Sequence, residues 1–314
     1  MISIIIPVKG HRIIDRLLTK LSEIPKPEDT EILVIDAAKG TLNDIKNKFP
    51  LVRWLYYKSN YKQSISEQRN FGLLKSKGDI IVFIDADCIP TNSWLLNLIN
   101  PIRKDNESVT SGKIISMSKY PLKWKFDYEL LKSTRYLLFI PTMNSAFLKR
   151  VFNQIGGFDN IFKYGGEDGD ISIRLHEQGF KIRYVHNAEI YHDWGDINKN
   201  IKRIFLYGRA NFVLIFKHKY KLFKYINLIE VSAFPIYLFF LPITLFWPLY
   251  LLFLIIPFFK GLIKSYSLTY ALESVVYGLL MGSGFIFQFV NSLFLPKQIQ
   301  TVPLIKVSNI SHKI

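Results

Sequence analysis

The chain has 314 residues, a formal net charge of +16 at pH 7 and one cysteine. A single cysteine excludes an intramolecular disulfide, which agrees with a reducing compartment. The positive charge favours nucleic acid, anionic lipid or phosphorylated substrates as partners. Because the sequence has no nucleic-acid-binding module pattern, we expect no nucleic-acid partner.

The first part of the chain alternates strand-like and helix-like segments. Strands are predicted at residues 3–7, 31–36, 52–57 and 80–84, and helices between them at residues 13–21, 42–49 and 64–75. This alternation is typical of right-handed βαβ units and predicts a parallel sheet. Ligands bind such sheets beyond the carboxyl ends of the strands. Asp36, Asp85 and Asp87 follow strands at that edge.

Asp85 and Asp87 come directly after an unbroken apolar strand. In extended backbone, residues two apart point to the same side, so both carboxylates can face one point. Carboxylate oxygens at a strand end suit Mg²⁺ or Mn²⁺ that carries substrate phosphates. The alternative is that an Asp or Thr91 caps the next helix and no metal is involved.

Beyond Cys88 the alternation is less regular. A helix is predicted at residues 94–99, strands at 109–116, 181–185 and 188–191, and an amphipathic helix at 119–139. Glu167, Asp168 and Asp170 follow a Gly pair and precede a helical segment. The helix macrodipole favours acids there, which could explain Asp170 but does not require the other two. His192 follows the last strand, and taken alone it would be structural.

The last third of the chain is strongly apolar. Residues 231–259 and 274–296 contain no charged residue, and each is long enough to cross a hydrocarbon core of about 30 Å. We interpret them as two membrane spans joined by a loop at 260–273. Prolines in the first segment leave a re-entrant hairpin as an alternative.

A basic segment precedes these spans. Residues 199–224 carry eight Lys or Arg and no acid, and an amphipathic helix over 199–226 is predicted to lie among lipid headgroups. The beginning of the sequence does not resemble a signal peptide. We therefore expect a multi-pass cell-membrane protein with a cytosolic catalytic domain at 1–222, a membrane region at 227–296 and a tail at 297–314.

Several segments, in this order and spacing, resemble the inverting family 2 glycosyltransferases with the GT-A fold, in particular membrane-anchored members acting on lipid-linked glycans. They are residues 3–8, 35–36, 68–72, 78–87, 144–150, 156–159 and 165–175. The resemblance covers about residues 1–220. It implies an α/β fold with a Rossmann-like, mostly parallel sheet, followed here by the transmembrane helical region.

The resemblance also implies roles for individual residues. The residues implied to bind the donor are Pro7, Asp36, Arg69, Asn70 and Asp85. The implied ligands of a divalent cation, Mn²⁺ or Mg²⁺, are Asp85, Asp87 and His192. The implied catalytic pair is Asp168 and Glu167. Within that pair Asp168 would be the general base, and Glu167 would position the acceptor or the loop.

The implied reaction is metal-dependent, inverting transfer of one sugar from a nucleotide-diphospho sugar to a lipid-linked, polyprenyl-type acceptor at the cytosolic membrane face. Asp36 is followed by Ala37-Ala38-Lys39, whereas the family often has a further acid and a serine. This departure leaves the nucleotide open. The Q-x-x-R-W motif of processive synthases is missing, so we expect single-sugar addition. Two alternatives are an inactive membrane scaffold and a nucleotidyltransferase, for which Lys9-Gly10-His11-Arg12 is a short basic loop.

Overall fold

The computed structural model describes residues 1–38, 40–58, 64–118, 135–163, 165–218, 238, 241 and 255–294. They form one mixed β-sheet flanked by helices and continue into two C-terminal helices. The strands are β1 (Ile2–Val8), β2 (Thr30–Asp36), β3 (Arg53–Tyr56), β4 (Ile80–Ile84), β5 (Cys88–Pro90), β6 (Val109–Ser116), β7 (Tyr136–Leu137), β8 (Asn144–Leu148) and β9 (Ile182–His192). The helices are α1 (Ile14–Glu23), α2 (Asn43–Lys48), α3 (Ile65–Lys75), α4 (Trp94–Lys104), α5 (Val151–Ile155), α6 (Glu167–Glu177), α7 (Ile197–Lys217), α8 (Ile255–Ser265) and α9 (Leu268–Phe294).

The sheet has the order β3-β2-β1-β4-β8-β6-β9-β5, and β7 pairs with β9. Strands β3, β2, β1 and β4 are mutually parallel, as are β6 and β9. Strand β8 runs antiparallel to β4 and β6, and β5 runs antiparallel to β9. The mostly parallel α/β sheet predicted from the sequence is therefore confirmed, with antiparallel strands in its second half.

The central strands β1 and β4 are buried along their whole length. One apolar cluster covers each face of the sheet: α1 and α4 pack with Ile4 and Val82 on one face, and α5 and α6 pack with Ile5 and Phe83 on the other. Two covered faces explain why both strands are continuous apolar runs in the sequence.

Two predicted segments differ in the structure. The strands expected at 181–185 and 188–191 are one strand, β9, because a register shift opposite Gly112 and Lys113 absorbs the intervening residues. Of the helix expected at 119–139, residues 119–134 lie outside the described part, and Tyr136–Leu137 is strand β7.

Helix α9 coincides with most of the predicted second span. It is long and apolar enough to cross a membrane by length and composition, although 39% of its most apolar window is buried against protein. The predicted first span lies almost entirely outside the described residues, which include only 238, 241 and the start of α8 at Ile255. The predicted loop at 260–273 is wrong: α8 runs to Ser265, and α9 already begins at Leu268, where the Ser267 hydroxyl accepts the Tyr270 N–H.

Helices α7 and α9 pack backbone against backbone at two glycines. A Cβ atom at Gly208 of α7 would lie 1.9 Å from the carbonyl oxygen of Met281, and one at Gly284 of α9 would lie 2.0 Å from that of Phe205. Only glycine permits this approach. The predicted amphipathic helix at 199–226 is thus α7 as far as Lys217, and one side of it is covered by α9.

Candidate active site

The centre of the candidate site is the buried guanidinium of Arg69, on helix α3. It donates to Asp85 at 3.0 Å and to Glu167 at 2.9 Å, and it lies 3.7 Å from Asp168. The three carboxylates come from the end of β4 and the first turn of α6, elements far apart in sequence. One cation therefore holds together three acids at the carboxyl edge of the sheet.

Local sequence explains the position of Arg69. Helix α3 begins at a capping box in which Ser64 and Glu67 satisfy each other's backbone N–H groups. Three residues after Arg69, Gly72 packs so closely on β1 that a Cβ would lie 2.4 Å from the Ile5 side chain. This contact presses α3 onto the sheet beside the end of β4.

Two glycines position the acid pair. Gly165 and Gly166 have φ of +116° and +93°, a region that disfavours other residues. The turn rests on α7, because Cβ atoms there would lie about 3 Å from Tyr207 and Ala210. Helix α6 begins directly afterwards, so α7 determines where Glu167 and Asp168 lie.

Asp168 has the properties of a proton acceptor. The hydroxyl of Thr142 donates to Oδ1, and the Thr142 N–H donates to Oδ2 at 3.3 Å. Burial, together with the negative charge of Glu167, raises the pKa of Asp168 to about 7, although Arg69 opposes the shift. The carboxyl group can therefore gain and lose a proton near neutral pH.

Asp87 and His192 meet on the other side of the same strand end. Oδ1 of Asp87 lies 3.2 Å from Nε2 of His192, because β5 and β9 pair with Cys88 opposite His192. The ligand atoms of Asp87, Cys88 and His192 lie within 4.8 Å of one another. Burial raises the pKa of the Cys88 thiol, and a soft sulfur ligand suits Mn²⁺ or Mg²⁺ less well than oxygen does.

Asp87 and His192 fit a small divalent cation. A separation near 3 Å is that of neighbouring ligands in an octahedral complex with bonds of about 2.1 Å. Carboxylate and imidazole together suit Mn²⁺ better than Mg²⁺, which prefers oxygen alone. The Nδ1 atom of His192 is buried and has no hydrogen-bond partner among the described residues.

Asp85 and Asp87 have different partners in the structure, Arg69 and His192. Strand β4 ends at Ile84, and Ala86 and Asp87 lie in a turn, so the alternation of a strand does not extend to them. Neither carboxylate caps helix α4, whose N-cap position is Ser93.

The other predicted donor residues lie at the same edge but bind protein groups. Pro7 is buried near the end of β1, opposite Ile35 of β2. The Asp36 carboxylate accepts from the Ala38 N–H at 2.7 Å and from Trp54 Nε1 at 3.0 Å. The Asn70 amide exchanges two hydrogen bonds with the backbone of Phe158, at 2.7 and 2.8 Å. Asn70 thereby holds the turn that follows Gly156 and Gly157.

Sequence reasoning missed Thr142 and the surroundings of Asp170. The fully buried Asp170 carboxylate is bound by Arg174, Lys217 and His218, and Lys217 also pairs with Asp159. The Asp170–Arg174 spacing of four is a visible helical signal. Lys217 and His218 come from α7 and could not be found that way.

Comparisons with known proteins agree with this geometry. The family described as glycosyl transferase family 2 matches residues 3–162, slightly more than half of the chain, and the N-terminal domain of galactosyltransferase matches residues 132–195. Chondroitin synthase of Pasteurella multocida (strain Pm70) is 25% identical over 61% of this chain and 24% of its own length. Probable glycosyltransferase YdaM of Bacillus subtilis (strain 168) is 24% identical over 58% of this chain and 48% of its own. The chain thus spans about a quarter to a half of these relatives.

Among solved structures, the crystal structure of GalNAc-T7 with UDP, GalNAc and Mn²⁺ is similar in fold. Its TM-score is 0.51 at 18% identity, covering 68% of this chain and 49% of that one. This likeness concerns the fold of the sheet and its helices.

Proposed function

Because the chain belongs to glycosyl transferase family 2, we propose that it transfers one sugar from a nucleotide-diphospho sugar to a lipid-linked acceptor, with inversion at the sugar carbon. The observation that carries the proposal is the grouping of Asp85, Glu167 and Asp168 around Arg69 at the carboxyl edge of the sheet. Ligands of doubly wound sheets bind at that edge.

In the proposed reaction Asp168 is the general base. Its carboxylate takes the proton of the acceptor hydroxyl while the oxygen attacks the sugar carbon from the side opposite the nucleoside diphosphate. The new oxygen–carbon bond forms as the bond to the diphosphate breaks, and this single displacement inverts the carbon. A pKa near 7 suits a group that must gain a proton at neutral pH.

Arg69 supports this role by keeping the base in place. Its ion pairs with Asp85 and Glu167 fix the beginning of α6 against the end of β4. Thr142 orients the Asp168 carboxylate from the opposite side. Glu167 is already bound to Arg69, so we assign it to positioning and not to proton transfer.

The proposed cation site consists of Asp87 and His192, with Asp85 beside it. A bound Mn²⁺ or Mg²⁺ would neutralise charge on the leaving diphosphate. Pro7, Asp36, Arg69 and Asn70 remain the proposed donor-binding residues. In this proposal Asp36 and Asn70 shape the nucleotide side of the site, since their side chains brace β2 against Trp54 and α3 against the Phe158 turn.

Features of the C-terminal helices support the proposed acceptor class. Helix α7 is basic, α9 is apolar, and α7 contacts the turn that carries the acid pair. A lipid-linked acceptor would present its reacting hydroxyl close to such a surface. We therefore propose a cytosol-facing catalytic domain at 1–222 and a multi-pass membrane region at 227–296.

The test is turnover of a panel of nucleotide sugars in detergent with a polyprenyl-diphospho sugar as acceptor, whose sugar supplies the reacting hydroxyl. The assay is run with Mn²⁺, with Mg²⁺ and with chelator. We expect one donor to react in the presence of the cation and to give a product of inverted anomeric configuration. Binding of a nucleotide sugar without turnover of any donor would favour the inactive scaffold. Release of pyrophosphate in a parallel assay with a nucleoside triphosphate and a sugar 1-phosphate would favour the nucleotidyltransferase.

A further inference from the structure

A small basic pocket lies beside the candidate site, between residues 161–163 and 165, helix α7 and helix α9. Its volume is about 100 Å³, and its lining residues are Ile161, Phe162, Lys163, Gly165, Arg209, Ala210, Val213 and Gln288. Two of these side chains are cationic, and none of the described lining residues is acidic. Such a pocket favours an anion.

The polar groups of the pocket are suited to a phosphate. Nε of Arg209 donates to Oε1 of the buried Gln288 at 3.0 Å, which fixes the direction of the guanidinium. Lys163 also lines the pocket; its side chain is exposed and forms no ion pair in the described part of the chain. A planar guanidinium held in one orientation, together with a mobile ammonium, is a common arrangement for phosphate oxygens.

An apolar surface continues from the pocket along α9. The Arg209 guanidinium lies 5.1 Å from the centre of the Phe287 ring. Phe287, Val290 and Phe294 share one side of the helix, and they are 46%, 43% and 78% exposed. A ligand with a phosphate in the pocket would therefore have an apolar path leading away from it.

We propose that this pocket binds the phosphate headgroup of a membrane lipid, with the hydrocarbon chain lying along the Phe287–Phe294 side of α9. The pocket includes Gly165, two residues before Glu167. On the proposed function, on which this last step rests, the bound lipid is the acceptor, and its phosphate places the attached sugar or hydroxyl beside the acid pair.

The test is binding of a fluorescent short-chain phosphatidic acid to the full chain in neutral detergent micelles, compared with the phosphatidylcholine analogue. We expect tighter binding of phosphatidic acid. Arg209→Gln and Lys163→Gln should each weaken it about fivefold, the contribution of one basic side chain near an anionic lipid surface. Arg209→Lys should keep most of the affinity because it keeps the charge.

The matched control is Lys202→Gln, which removes an exposed cation of the same helix outside the pocket. It should leave the affinity for phosphatidic acid unchanged. An equal loss in Lys202→Gln would mean general attraction to a basic helix and would overturn the assigned pocket. Competition by inorganic phosphate at the same concentration as phosphatidic acid would overturn the lipid assignment in favour of a free-phosphate site.

The binding measurement uses neither donor nor cation, so it fails or succeeds independently of the proposed activity. Donor turnover by the unmodified chain tests that activity separately. Preferential binding of phosphatidic acid without any turnover would refute the proposed transferase activity and support the lipid site. Turnover without a preference for phosphatidic acid would support the activity and refute the lipid site.

Discussion

At the scale of single residues, a substitution of Asp168 tests the proposed proton acceptor while keeping the shape of the side chain. Asp168→Asn keeps the size of the side chain and removes the proton acceptor. We expect turnover to fall by about 10²–10⁴-fold, while donor affinity stays near that of the unmodified chain. Turnover and donor titration should be measured on one preparation. Asp79→Asn, at the exposed opposite end of β4, is the matched control and should keep full turnover.

The pKa of Asp168 predicts two pH dependences. Because only the carboxylate can accept a proton, turnover should rise with pH and level off above about 7. The pKa is raised above the unfolded value of about 4, so ionisation opposes folding, and the free energy of unfolding should fall as pH rises from about 4 to about 7. Asp168→Asn lacks this loss, so its melting temperature relative to that of the unmodified chain should increase as the pH rises from about 4 to about 7. A constant difference between the two would contradict the raised pKa.

The proposed cation site predicts different effects for three substitutions. Asp87→Ala should abolish cation-dependent turnover, and His192→Ala should raise the Mn²⁺ concentration needed for half-maximal activity. Cys88→Ser is the control within the same cluster, and Mn²⁺ affinity should change little because Mn²⁺ does not favour sulfur ligands. Mn²⁺ binding followed by electron paramagnetic resonance gives a readout besides activity. Lost stability with unchanged Mn²⁺ affinity would return His192 to a structural role.

The acids of the candidate site could be located from sequence, but their common partner could not. Asp85 and Asp87 stand at the end of a recognisable strand, and Asp168 precedes a recognisable helix. Arg69 is separated from Glu167 by 98 positions, and Thr142 from Asp168 by 26. Hydrogen bonds over such separations depend on how helices pack on the sheet, and no local pattern encodes them.

At the scale of elements, helix α6 is held to α7 by a buried charge cluster. Burial alone would raise the pKa of Asp170, but Arg174, His218 and Lys217 hold it below its ordinary value. The cluster therefore stabilises the fold above about pH 4, and this contribution is lost as the pH falls. Glu167 and Asp168 begin the same helix, so the cluster also supports the candidate site.

Lys217→Met should destabilise the chain by about 3–5 kcal/mol, because it leaves the Asp159 and Asp170 carboxylates buried without their shared cation. Denaturant titration of each variant measures this loss as a change in the free energy of unfolding. Lys199→Met, in the first turn of the same helix, removes an exposed and loosely paired lysine. It should cost less than about 1 kcal/mol, and equal losses in the two variants would contradict a structural role for the cluster.

The elements themselves were predictable where burial is uniform. Strands β1, β4 and β6 match the sequence patterns because their side chains are covered along most of their length. The sequence predicts two strands where the structure has the single strand β9, because His186 and Asn187 interrupt the apolar pattern at the register shift. The sequence predicts a loop at the end of α8 and the beginning of α9 because Lys260, Lys264 and Glu273 interrupt the apolar runs. Charged residues do not end a helix whose other residues favour it.

At the scale of the whole molecule, the α8–α9 connection offers a test of topology. If residues 231–259 and α9 both cross the membrane, Ser267 lies on the face opposite the catalytic domain. Cys88 is the only cysteine and is buried, so Ser267→Cys can be labelled with little background. We expect a membrane-impermeant maleimide to react from outside intact cells. Asp105→Cys, in the catalytic domain, should react only after lysis, and absence of outside labelling at Ser267 would reject the two-span proposal.

The glycine contacts between α7 and α9 tie the position of the candidate site to that of the apolar helix α9. Gly208 and Gly284 bring the two backbones together, and α7 in turn supports the turn before Glu167. With α9 in a bilayer, the general base would stand at one constant height above the lipid surface. The site would then select acceptors by the distance of the reacting hydroxyl from the lipid surface. A hydroxyl at the height of the base would react, whereas the terminal hydroxyl of a glycan one sugar longer would lie beyond it. On the proposed function, distance alone then limits the length of the glycan.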